Sequence, residues 1–141
     1  MTKIIINKRI GTFGLSYFGL TEYAKRKGLT LYFYADDANG NLHKVRDPKL
    51  LESDYYTNYC YTKDLGDMAT KDTMTYCYLS AYDIPRDDPT LIEIIEEFGS
   101  DKISSTYSLL KIVEIPDDVE WVIEESEEGI EWICEKHRIW S

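Results

Sequence analysis

The first apolar positions form an unbroken run, Ile4-Ile5-Ile6 after Lys3, which reads as a short buried strand over residues 3–6. A glycine-bearing loop follows, and Ser16 stands where a helix N-cap belongs, with Leu15 and Leu20 spaced as a hydrophobic staple. The predicted helix runs from Tyr17 to Lys27. Gly28 can end it in a left-handed conformation, and Lys25, Arg26 and Lys27 oppose the negative end of its dipole. Residues 30–35, TLYFYA, read as a strand, and Asp36 to Asn41 as a turn that leaves His43 in a polar, Gly- and Asn-rich stretch.

Beyond Pro48 a short helical turn is expected before two alternating segments, 55–61 and 73–82, each containing Tyr-Cys-Tyr and each read as a sheet strand. The clearest local signal is DDPTLIEIIEEFG. Asp88 caps, Pro89 takes the first helical position, apolar residues line one side, and Gly99 closes a helix over 89–98. Strands follow at 109–115, 119–125 and 130–140, the last two joined through Glu127, Glu128 and Gly129 as a hairpin. The sum predicts an α+β fold: a single domain over residues 1–141, with a mixed or antiparallel sheet, two helices and a C-terminal β-hairpin.

Composition agrees with one domain. A chain of 141 residues, 43% hydrophobic and 13% aromatic, can bury a core. Four prolines and 30% charged residues argue against disorder, and no apolar run approaches the roughly 20 residues that span a bilayer. The opening residues lack the features of a signal peptide, so a cytoplasmic location is expected. Cys60, Cys77 and Cys134 are far apart and odd in number, with two histidines beside them. They read as reduced thiols, and neither a metal nor another cofactor is expected.

Charge changes the picture more. The net charge of −10 divides into +5 over residues 1–50 and −15 over residues 51–141. A surface so acidic over most of its length repels a nucleic-acid backbone and attracts a basic partner.

Three polar groups could carry chemistry. Lys8, Arg9, Gly11, Phe13, Gly14 and Ser16 outline a loop before a helix that could hold an anion, although G-x-x-G matches neither the dinucleotide fingerprint nor the P-loop, and corner-turning explains it as well. Asp87 and Asp88, with Asp117, Asp118 and Glu120, bring carboxylates to element ends, where caps and turns also account for them. Glu135, Lys136, His137 and Arg138 stand near Trp140 at the end of the sequence. There His137 and Arg138 face opposite sides of a regular strand.

The ending is Ile115-Pro116-Asp117-Asp118-Val119 with Trp121, then Glu131, Trp132, Glu135, His137, Arg138 and Trp140. It resembles the I-P-D-D-V-x-W … E-W-x-x-E-x-H-R-x-W ending of an uncharacterised family of small phage and prophage proteins. IIINKRIGTFGLS resembles that family's opening and IPRDDPTLI its middle, with Thr12 standing where the family's loop has a second glycine. The resemblance implies a small accessory protein in the cytoplasm of a bacterial host, a class in which inhibitors of bacterial immunity are frequent.

The leading expectation is therefore a non-enzymatic binder. Its acidic, aromatic-rich surface, with Asp87, Asp88, Asp117, Asp118, Glu120, Glu131, Glu135 and Trp140 as contacts, docks on a basic patch of a host protein and blocks it. The alternative is a protein that sequesters a nucleotide signal through the Lys8–Ser16 loop with His137 and Arg138. A hydrolase using His137 and nearby carboxylates ranks third. Neither a membrane nor direct nucleic-acid binding is expected, and self-association is left open.

Overall fold

The computed structural model describes residues 1–36, 39–46, 58–70 and 79–136. Strand β1 (Thr2–Asn7) leads through the loop into helix α1 (Tyr17–Lys27), followed by β2 (Tyr32–Asp36), β3 (Asn41–Lys44), β4 (Asn58–Tyr61) and β5 (Met68–Thr70). A single 3-10 turn at Ala81–Asp83 precedes helix α2 (Pro89–Phe98) and the four-residue helix α3 (Ser100–Ile103). The chain then forms β6 (Leu110–Ile115), β7 (Trp121–Glu125) and β8 (Glu131–Glu135). The fold is α+β, and the C-terminal hairpin is present as β7 and β8.

Every described strand pair is antiparallel. β1 pairs with β6, Thr2 opposite Ile115 and Asn7 opposite Leu110. A four-stranded sheet has the order β4-β2-β3-β5, and β7 pairs with β8, Trp121 opposite Glu135. β1 and β2, consecutive around α1, lie in different sheets, so the strand-helix-strand beginning is no parallel crossover unit.

Local sequence explains the helices. The Ser16 hydroxyl accepts from the Gly19 amide at 3.0 Å, and Gly28 ends α1 at φ 72°. At α2 one Asp88 oxygen accepts from the Thr90 and Leu91 amides, at 2.8 and 3.2 Å. Between the helices, Arg26 pairs with Glu22, Glu93 and Glu97 and lies 5.9 Å from the centre of the Phe98 ring.

Two apolar clusters form. The larger joins Ile5, Phe13, Leu15, Tyr23 and Leu110 to Leu91, Ile92, Ile94 and Ile95 of α2. The smaller centres on Tyr34, Leu42 and Tyr61 inside the four-stranded sheet. Tyr34 is fully buried, and its hydroxyl donates to the Gly66 carbonyl at 2.8 Å while accepting from the Leu65 amide at 3.0 Å.

Several expectations need adjusting. The polar stretch around His43 is strand β3, because Leu42 inside it is fully buried between β2 and β5. β5 and α3 carry no strong sequence pattern of their own and take their form from their neighbours. Of the strand expected over 73–82, Ala81 and Tyr82 belong instead to the 3-10 turn, and residues 73–78 lie outside the described set. The helical turn expected beyond Pro48 and residues 55–57 also lie outside it, and β4 pairs with β2. No helix among the described residues is long and apolar enough to cross a membrane.

Candidate functional site

The loop that opens the chain is a corner braced from three directions, and Asn7 is its hub. The Asn7 side-chain amide donates to the carbonyls of Arg9 and Gly129, both at 3.0 Å, while its oxygen accepts from the amides of Arg9 and Leu109 at 3.2 and 3.0 Å. The buried side chain thus uses two donors and both acceptor positions, a full complement for an asparagine.

Beneath it lies an ion pair. The Asn7 backbone amide donates to Glu131 Oε1 at 2.7 Å, and Arg86 grips the same carboxylate with Nη1 at 2.6 Å and Nη2 at 2.9 Å. The Arg86 guanidinium rests 3.6 Å from the centre of the Phe13 ring and 5.3 Å from that of Tyr82. Bidentate geometry and an aromatic platform are what arginine provides and lysine does not. Phe13 is therefore a buried support.

The loop's own donors are directed inward. Lys8 N–H donates to Leu109, Gly11 N–H to Glu128, and Ser16 N–H to Ile103, while the Ser16 hydroxyl donates to Lys102. The positive φ in the loop belongs to Gly11, at 138°, where a Cβ would stand 2.1 Å from the Tyr107 carbonyl oxygen. Gly14 has no such φ, and a Cβ there would meet the Ser105 hydroxyl at 2.9 Å. The side chains of Lys8 and Arg9 are exposed.

The wall facing this corner is acidic. A cleft of roughly 400 Å³ is lined by Gly11, Thr12, Tyr82 and the hairpin turn from Glu125 to Gly129. Ser126 shapes that turn: its hydroxyl accepts from the amides of Glu128 and Ile130, and Gly129 adopts φ 91° hard against Gly11. Three carboxylates therefore border the loop's inner side, which favours a cation over an anion there. Tyr82 is exposed in this cleft, and Ile10, Tyr107 and Leu109 are exposed large hydrophobics as well, Ile10 and Tyr107 at 63% and 67%. On the hairpin, exposed Trp132 stands opposite Glu124 and donates from its indole nitrogen to that carboxylate at 3.2 Å.

The remaining candidates are dispersed. Glu131 is 1% exposed and engaged by Arg86, so its charge is withdrawn from the surface. Asp88 is a buried cap whose other oxygen meets the Tyr23 hydroxyl at 3.1 Å and Lys27 at 3.3 Å. Burial works to raise its pKa, but the Leu91 amide, Lys27, Tyr23 and the Thr90 amide together hold it below the ordinary carboxylate value. Asp117 is held by Thr2 and the terminal ammonium. Asp87, Asp118, Glu120 and Glu135 are exposed, whereas His137, Arg138 and Trp140 lie outside the described residues. No group of three or more His, Cys, Asp or Glu among the described residues is arranged to hold a metal ion.

Sequence reading missed the roles of Asn7, Tyr82 and the turn carboxylates. The available signal was Gly129 after a run of acids, which marks a tight turn without revealing what the turn faces. No protein-family model matches the chain, and neither a curated protein nor a solved structure does.

Proposed function

We propose that the chain acts by binding: its acidic, aromatic-rich hairpin face docks on a basic patch of another protein and blocks it. The observation that carries this reading is the cleft where Glu125, Glu127 and Glu128 stand beside the exposed Tyr82 and the corner-loop residues Gly11 and Thr12. Carboxylates attract a basic partner over distance, while Tyr82, Tyr107 and Trp132 offer the large, rigid contact area on which interface affinity concentrates. The likeness to phage proteins points to a bacterial host protein as the partner and to inhibition of anti-phage defence as the role.

The test is capture from a bacterial host lysate by the parent and by a variant carrying Glu125→Lys, Glu127→Lys and Glu128→Lys. A partner retained by the parent, released by high salt and absent from the variant supports the proposal. Equal capture by both proteins refutes the assignment of this face.

A further inference from the structure

The acidic C-terminal face has a counterpart of opposite sign that the docking proposal does not use. Between the C-terminal half of α1, the segment Leu29–Leu31 entering β2, and the end of β3 lies a cleft of roughly 480 Å³. It occupies the seam between the helical cluster and the four-stranded sheet. Its volume falls within the roughly 300 to 1,000 Å³ typical of small-molecule sites, which also favour such seams.

The lining combines two kinds of group. Lys25 from α1, and Lys44 and Arg46 from the end of β3, bring three cations to one opening in a chain of net charge −10. Tyr17, Tyr32 and Phe33 supply ring surface, with Tyr17 set edge-on to Phe33 at 5.3 Å between centres. Lys44 is positioned from two sides: its ammonium lies 5.3 Å from the Tyr32 ring centre and 2.5 Å from Asp64. Arg46 is exposed and reaches Asp67, while Lys25 is exposed at the end of its helix.

We infer that this cleft binds a small anion carrying a planar ring, of the class of a nucleoside monophosphate. The rings would stack on the base and the cations would face the phosphate. Asp64 and Asp67 hold Lys44 and Arg46 at the rim, so a phosphate entering there competes with carboxylates for both, and Lys25 is the cation it meets without that competition. Binding is therefore salt-sensitive. It needs both parts of the ligand.

Titration calorimetry on the full chain tests this with four probes: adenosine monophosphate, guanosine monophosphate, adenosine and inorganic phosphate. A nucleotide should bind, with nucleoside and phosphate each about tenfold weaker or worse. Lys25→Gln and Arg46→Gln, both at exposed positions, should each weaken nucleotide binding by about tenfold with the melting temperature close to that of the parent. Lys8→Ala with Arg9→Ala should leave it intact. No nucleotide binding at millimolar concentration, phosphate alone binding as well as nucleotide, or loss of binding in the loop variant rather than the cleft variants would each overturn the inference. The charge-reversed hairpin keeps this cleft, so the two proposals fail separately.

Discussion

Glu131 and Arg86, 45 positions apart in the chain, meet in two parallel contacts of 2.6 and 2.9 Å, with side chains only 2% and 11% exposed. The pair fastens the C-terminal hairpin to the segment before α2. Through the Asn7 amide on the same carboxylate it fastens both to the first strand.

Breaking that pair from either side should be severe. Glu131→Ala leaves a guanidinium and a backbone amide without their acceptor, and a loss of about 3 to 5 kcal/mol is expected. Arg86→Met with Glu131→Leu should be milder than either single change, since it removes both charges, while still leaving the Asn7 amide unsatisfied at about 1 to 3 kcal/mol. Urea unfolding of the two single variants and the double variant measures this directly. Deleting residues 127–141 removes the same carboxylate with a whole strand, and cooperative unfolding should disappear with it.

The corner loop makes a graded prediction. Gly129→Ala should be the most damaging of the loop substitutions, because its Cβ would stand 1.5 Å from the Gly11 carbonyl oxygen at a φ of 91°. Gly11→Ala combines φ 138° with a 2.1 Å approach to Tyr107 and should follow. Gly14→Ala meets the Ser105 side chain, its hydroxyl at 2.9 Å, without a positive φ, and should be the mildest of the three. Lys8→Ala with Arg9→Ala should stay within about 0.5 kcal/mol of the parent, as exposed positions do. A ranking of melting temperatures in any other order contradicts the described packing.

Asp88 contributes to the acid limb of the stability profile and Tyr23 to the alkaline limb. Asp88 has a folded pKa below 3.8, so its contribution is complete above that pH and is lost as pH falls through the folded value. Tyr23 is the opposite case: burial, then the Asp88 charge, push it from 10.0 up to about 12. Its contribution is complete below pH 10 and is lost as pH rises toward 12. Tyr23→Phe should remove the Tyr23 share of the alkaline limb and, because its hydroxyl is one of the donors to Asp88, shrink the acid limb slightly. Asp88→Asn, which keeps a capping side chain, should reduce the acid limb and part of the alkaline one. Thermal melts across pH separate the two.

The described thiols should differ in reactivity. Cys60 is buried, which pushes its thiol up to about 12, whereas Cys134 is half-exposed on the hairpin and raised by burial and then by Glu124. Alkylation of native protein followed by peptide mapping should find Cys134 modified first and Cys60 only when its sheet opens. Equal rates would mean that β4 is not packed as described.

Helices α1 and α2 were legible because their caps are local, and α3, without a side-chain cap, was not. Ser16, Gly28, Asp88 and Pro89 state each boundary within a few residues. The hairpin was legible for the same reason. β3 was not, since its only deeply buried residue is Leu42, and a strand of four residues gives too little alternation to detect. The candidate face was partly legible: charge asymmetry pointed to the acidic half, yet nothing in the sequence distinguishes Glu131, which is buried on Arg86, from Glu128, which lines an open cleft. That difference is decided by partners 45 to 124 residues away.

The register of β1 against β6 also dictates an order of events during synthesis. Thr2 must wait for Ile115 and Asn7 for Glu131, so β1 is made long before the strand it pairs with. Meanwhile β2, β3, β4 and β5 pair within fewer than 40 residues of one another and can assemble early. Until Leu110–Ile115 is made, Ile4-Ile5-Ile6 is a β-branched segment with no strand to pair with, only the Arg86 carbonyl and the α2 cluster to lean on, and such segments are the kind that chaperones shield and that seed aggregation when they do not.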